Sequence, residues 1–239
     1  MNYIFAAVFL YLFFGLLLFI FQRRIIFNRS GHPGRPKDYN LFKTKEILIP
    51  TEDNIDLLSW LQISDKNLPL LIYFHGNSFH IGDRAYRIQR YIDYKWNILL
   101  VSWRGFGGNK GIPTENNLYK DGEAVLKWVS KNTKFTKKQI VIYGESLGSG
   151  VAVELGIKYH FLSVLLESPF TSIPDIAKKR YKIYPTKFLV KDKFDNFSKI
   201  DKLKSPLLIL SGKRDEIVPH NHSIRLLNKA KVKKKECFY

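Results

Sequence analysis

The chain has 239 residues, 45% hydrophobic and 25% charged, which excludes a disordered protein and leaves room for one α/β domain with a substantial core but no second large one. Its single cysteine, Cys237, excludes an internal disulfide and a cysteine-based zinc site, and fits a reducing compartment. A net charge of +18 favours anionic surfaces, but the lysines are scattered, with one dense run over 229–235 and no aromatic-and-basic recognition module. Solvated lysine-rich faces therefore come first, an anionic membrane second, and nucleic acid is not expected as a partner.

In chain order, the first element is an apolar run from Tyr3 to Phe21 without a charged residue, ended by Gln22, Arg23 and Arg24. At 1.5 Å per residue it is about as long as a bilayer's hydrocarbon core is thick. It lacks the basic lead-in and small-residue cleavage site of a signal peptide, so it reads as an uncleaved anchor over 1–24. The lipid bilayer is then a partner and the chain a single-pass membrane protein. Arg23, Arg24, Arg29, Arg35 and Lys37 all follow the run, which places the remainder on the cytoplasmic side.

Gly31, Pro33, Gly34 and Pro36 mark 25–45 as a linker, and 46–239 as the globular domain. Strands are expected over 46–50 and 55–63, joined by a polar turn. From Leu68 onward, short apolar runs at 70–74, 98–101, 140–143, 164–166 and 207–210 alternate with helical stretches at 84–94, 117–131, 147–159 and 223–230. Unbroken apolar runs suit strands covered on both faces, so the alternation predicts a doubly wound, mostly parallel α/β sheet with its ligand at the carboxyl ends of the strands.

The residues at those strand ends carry chemistry. They read His75-Gly76-Asn77, then Arg104-Gly105-Phe106-Gly107, then Gly144-Glu145-Ser146-Leu147-Gly148, then Glu167-Ser168-Pro169-Phe170-Thr171-Ser172, then Asp215-Glu216-Ile217-Val218-Pro219. A serine between two glycines at a strand-to-helix turn is pushed out of the backbone as a nucleophile, and needs a base and an acid to act. Together these five loops resemble the α/β-hydrolase superfamily, and within it the single-pass membrane hydrolases related to protein depalmitoylases; the similarity runs over 27–231. It implies Ser146 as nucleophile, Asp215 as the acid, and the amides of Asn77 and Leu147 as the oxyanion hole. It also implies an acyl ester or thioester substrate, lipidated where the anchor places it, with neither metal nor organic cofactor. The stretch from about 170 to 204 is expected to cap the site. Phe79, bulky beside the oxyanion loop, is expected to narrow the pocket or cover its mouth.

The base is the open question. Triad order in this fold is Ser, Asp, His, with the histidine after one further strand. Beyond Asp215 only His220 and His222 remain, at positions that match the segment before the next helix; they and His80 are weak candidates. Residues 235–239 read as the start of the last strand, so the fold is expected without its last strand and closing helix, as in a truncated frame or split gene. Two readings follow: a membrane-anchored serine hydrolase working through an acyl-enzyme, or an inactive remnant lacking the triad histidine.

Overall fold

The structure, a computed structural model, describes residues 2–29 and 31–239; Met1 of the expected anchor and Ser30 of the expected linker lie outside the described residues. Eight strands form one sheet: β1 Lys45–Pro50, β2 Asp56–Gln62, β3 Leu70–Phe74, β4 Asn97–Val101, β5 Ile140–Glu145, β6 Ser163–Glu167, β7 Leu207–Ser211 and β8 Lys234–Phe238. Their spatial order is β1-β2-β4-β3-β5-β6-β7-β8. Only β2 runs against its neighbours, so the sheet is mostly parallel as expected.

Every residue of β3 and β4 is buried, the reason their sequences are continuously apolar rather than alternating. The pleat sends Leu70, Ile72 and Phe74 to the face covered by α3 (Glu115–Asn132) and α4 (Leu147–Lys158). It sends Leu71 and Tyr73 to the opposite face, where α2 (Ala85–Asp93) packs through Ala85 and Ile88. The chain runs from β3 to β4 on one side and then crosses back past β3 to β5 on the other, so the strand order reverses there. That switch point opens a crevice between the carboxyl ends of β3 and β5.

The last strand corrects one expectation. Instead of a start that breaks off, Lys234–Phe238 forms a full parallel strand, pairing residue by residue with Leu207–Ser211. The exposed backbone edge of β7 supplies the pairing, and the Phe238 ring meets His220 edge-on at 4.3 Å. No helix follows it among the described residues.

The stretch from 25 to 45 is not a free tether. The N-terminal helix α1 (Asn2–Ile26) runs straight into the domain, where Phe27 is buried against Phe194. Asn28–Arg29 then pairs in parallel with Ser78–Phe79, and Pro33, Pro36 and Leu41 are buried farther on. Glycine and proline here shape a strap that follows the domain surface.

Helix α1 is long and apolar enough to cross a membrane, and its first half is exposed. Its second half packs on α5 (Ile173–Arg180), α6 (Thr186–Leu189) and the chain after them. Gln22, buried, donates to the carbonyl of Leu189 at 3.2 Å and accepts from the amide of Lys191 at 2.8 Å. Arg23 pairs with the carboxylate of Asp192 at 2.8 Å. These bonds clamp the foot of α1 to the cap.

Candidate active site

Ser146 stands between β5 and α4 at φ 47°, ψ −111°, a conformation few non-glycine residues adopt and one that costs of order 1–3 kcal/mol. Two glycines make the turn feasible. A β-carbon on Gly144 would lie 2.5 Å from the carbonyl oxygen of Gly148, and one on Gly148 would lie 2.0 Å from that of Phe74. The first turn of α4 therefore rests directly on the end of β3. The amide of Ser146 donates to Glu167 O at 2.8 Å, pinning the elbow to β6 as well.

This contact brings the H-G-N loop to the serine. Asn77, Ser146 and Leu147 line one cavity of about 200 Å³. The backbone amides of Asn77 and Leu147 are claimed by no other acceptor among the described residues. The Leu147 amide stands at the start of α4, next to the nucleophile, where a free N–H is suited to receive a developing negative charge.

Asp215 follows β7, and its carboxylate accepts from the amides of Ile217 at 3.0 Å and Val218 at 2.8 Å. Beside it opens a cleft lined by Ser168, Gly212, Lys213, Arg214 and Tyr239. None of the three candidate histidines enters the cavity of Ser146. Nδ1 of His220 sits 3.0 Å from Ser211 Oγ, and Nδ1 of His222 accepts from the amide of Thr171 at 3.2 Å. His80 lies beside Asp83, with Nδ1 3.3 Å from its carboxylate. Among the described residues, no histidine bonds to Ser146 or Asp215.

Comparison with known proteins identifies the family. Residues 113–239, more than half of the chain, match the Prolyl oligopeptidase family. An uncharacterized Mycobacterium tuberculosis protein, Rv2307c, is 31% identical over 220 residues, covering 89% of this chain and 77% of that protein. The human alpha/beta hydrolase domain-containing protein 17B is 34% identical over 66% of this chain and 54% of its own length. The chain belongs to the α/β-hydrolase superfamily. The solved Pyrococcus furiosus esterase Pf2001 shares the fold, with a TM-score of 0.69 at 21% identity over 88% of this chain and 87% of that one.

In this α/β-hydrolase, charged groups behind the elbow hold the two loops together. Arg84 reaches both oxygens of Glu145, at 3.1 and 3.3 Å, and donates to the carbonyl of Ser78 at 2.9 Å. Burial opposes ionisation of Glu145, yet Arg84 and the Tyr73 hydroxyl outweigh it and keep its pKa below the usual carboxylate range. Arg87 and the Tyr143 hydroxyl meet Glu167 in the same way. His75 is wholly buried against Trp103 and Phe106, with no partner on either ring nitrogen. Burial first, and Arg84 second, push its pKa down to about 3, so it is a neutral packing group. Its carbonyl accepts from the indole of Trp103 at 3.0 Å, which steadies the loop leading to Asn77.

The segment expected to cap the site lines the cavity through Phe170, Ile173, Ile176, Ala177, Arg180 and Tyr181. Phe79 does not contribute. It points outward, half exposed at φ 61°, because the ribbon with Asn28–Arg29 turns the loop away from the cavity. Sequence reading missed Ile25 and Ile26, which bring α1 itself into the wall. The available signal was Gln22, an amide that needs partners at the end of an apolar run.

Proposed function

We propose that this hydrolase acts on carboxylic esters or acyl thioesters at a membrane surface, with Ser146 as nucleophile. The observation that carries the reading is the strained Ser146 sharing a mostly apolar cavity with Asn77 and Leu147, whose amides no other acceptor claims among the described residues. In the reaction, Ser146 Oγ bonds to the acyl carbonyl carbon and gives up its proton to a base. The carbonyl oxygen, now negative, takes the amides of Asn77 and Leu147. Collapse breaks the bond to the alcohol or thiol, which leaves with the proton, and water releases the acid from the acyl-enzyme by the same route. Asp215 is the acid that would orient a histidine; its carboxylate faces an open cleft with room for an imidazole. Helix α1 serves as the anchor, and Arg23, Arg24, Arg29, Arg35 and Lys37 favour a cytoplasmic domain.

A second reading has its own observation. His220 and His222 are engaged with Ser211 and Thr171, so none of the described histidines is placed as the base. On this reading the chain binds acyl groups without cleaving them. Loss of a triad member leaves about 10³–10⁴-fold catalysis over water in well-studied cases, so turnover would be residual. A fluorophosphonate probe decides between them, because it labels only an activated serine. Labelling of the folded protein that disappears in Ser146→Ala is expected for the hydrolase. Absence of labelling, with the protein folded, establishes the second reading.

A further inference from the structure

Next to the cavity of Ser146 lies a second one, of about 90 Å³, between α1 and the cap. The two share five wall residues: Ile25, Ile26, Ile173, Ala177 and Tyr181. Sharing these walls, they adjoin along α1 between Ser146 and the contact of Gly15 with Tyr184. Gln22 is the one strongly polar side chain of the outer chamber, and its amide is already spent on cap backbone. From Ile26 back to Gly15 the helix rises about 16 Å, a length suited to a long acyl chain and far too long for an acetyl group.

The depth of the outer end identifies what would fill it. The Tyr11 hydroxyl donates to Ile183 O at 3.0 Å, the Tyr184 hydroxyl donates to Tyr11 O at 3.0 Å, and their rings stack at 4.8 Å. The cap tip is thus fastened midway along the apolar run. Its Ile183 and Phe188 are 71% and 87% exposed, and Lys178, Lys179, Lys182 and Lys187 surround them on the same segment. A membrane that accommodates α1 immerses this tip among lipid tails, with the lysine stems reaching back to headgroups. Gly15 lets helix and tip approach closely: a β-carbon there would come within 2.9 Å of the Tyr184 ring.

We propose that the membrane helix is one wall of the substrate site, and that a long fatty acyl chain passes from the bilayer into the apolar slot between α1 and α5, on the Ser146 side of the Gly15–Tyr184 contact, and along α1 to Ser146. This rests on the membrane-anchored acyl-hydrolase reading above and adds to it a substrate class and a route. The test uses the full chain in phosphatidylcholine vesicles containing a palmitate that carries a photoreactive diazirine. Crosslinks mapped by mass spectrometry are expected on Leu18, Ala177, Tyr181 and Tyr184. In Ile173→Phe and in Ala177→Phe, each of which fills the shared wall of the two chambers, crosslinking at Tyr181 should fall about tenfold, the effect of losing contact with roughly two methylenes. Leu16→Val, on the outer side of the helix, should leave the pattern unchanged. Crosslinks spread evenly over Phe9, Phe13, Leu16 and Ile20, or undiminished in both filled variants with the protein folded, overturn the proposal. Fluorophosphonate labelling separates the two readings. Slot crosslinks with an unlabelled Ser146 support the route and defeat the hydrolase; a labelled Ser146 without slot crosslinks does the reverse.

Discussion

His75 shows how a residue in a reactive setting can be there for packing. Its folded pKa of about 3 lies below the ordinary histidine value of about 6.5. Between those limits the unfolded chain binds a proton that the folded chain refuses. The stability that His75 contributes is therefore complete above about pH 6.5 and is lost as pH falls, at up to about 1.4 kcal/mol per pH unit. His222, whose pKa is also lowered chiefly by burial, acts in the same direction. Urea midpoints measured between about pH 7 and pH 4 should fall steeply in the parent protein. His75→Leu should flatten the slope by about one proton and leave the share due to His222. An unchanged slope would mean that His75 is not held neutral.

At the scale of elements, the loop after β4 is tied to α3 by a buried ion pair. Arg104 meets Asp121 through Nε at 2.8 Å and Nη2 at 2.6 Å, and donates its backbone amide to the same carboxylate. Asp53, from the turn between β1 and β2, completes the cluster. Asp121→Ala leaves the buried Arg104 with Asp53 alone, so it should cost at most about 3–5 kcal/mol, read as a shifted denaturation midpoint. Arg104→Met combined with Asp121→Leu should recover most of that loss, since no charge is then left buried. The arginine of this loop was visible in the sequence as part of R-G-x-G, but its partners were not. Asp53 and Asp121 are separated from it by 51 and 17 positions, and nothing in local pattern links them. The parallel strands were legible because burial on both faces leaves unbroken apolar runs. The strand Lys234–Phe238 was half legible, because pairing with Leu207–Ser211 holds it in place despite its lysines. The ribbon of Asn28–Arg29 with Ser78–Phe79 was invisible, two residues being too few to show a period.

For the whole molecule, the elbow and the H-G-N loop were readable because each belongs to one continuous motif. The walls of the cavity were not, since Ile26 and Ala177 meet only through the docking of α1 on the cap. That docking also gives the molecule a definite polarity. With α1 as the proposed anchor, the basic residues after the apolar run, from Arg23 to Lys37, predict a domain on the cytoplasmic side. A C-terminal fusion to a reporter active only outside the cytoplasm should stay inactive, and one to a cytoplasmic reporter should be active. The opposite pattern would reverse the topology and require the cap lysines to face the other leaflet.

The absent β-carbon of Gly148 has a consequence for what this site can lose. With α4 seated on the carbonyl of Phe74, the interval between the Asn77 and Leu147 amides is fixed by main chain against main chain. No side chain of the triad takes part in setting it. If those amides form the proposed oxyanion hole, a protein built this way can shed its base, or even its nucleophile, and still keep a preformed seat for a carbonyl oxygen. Inheritance of the receptor is thereby separated from inheritance of the reaction.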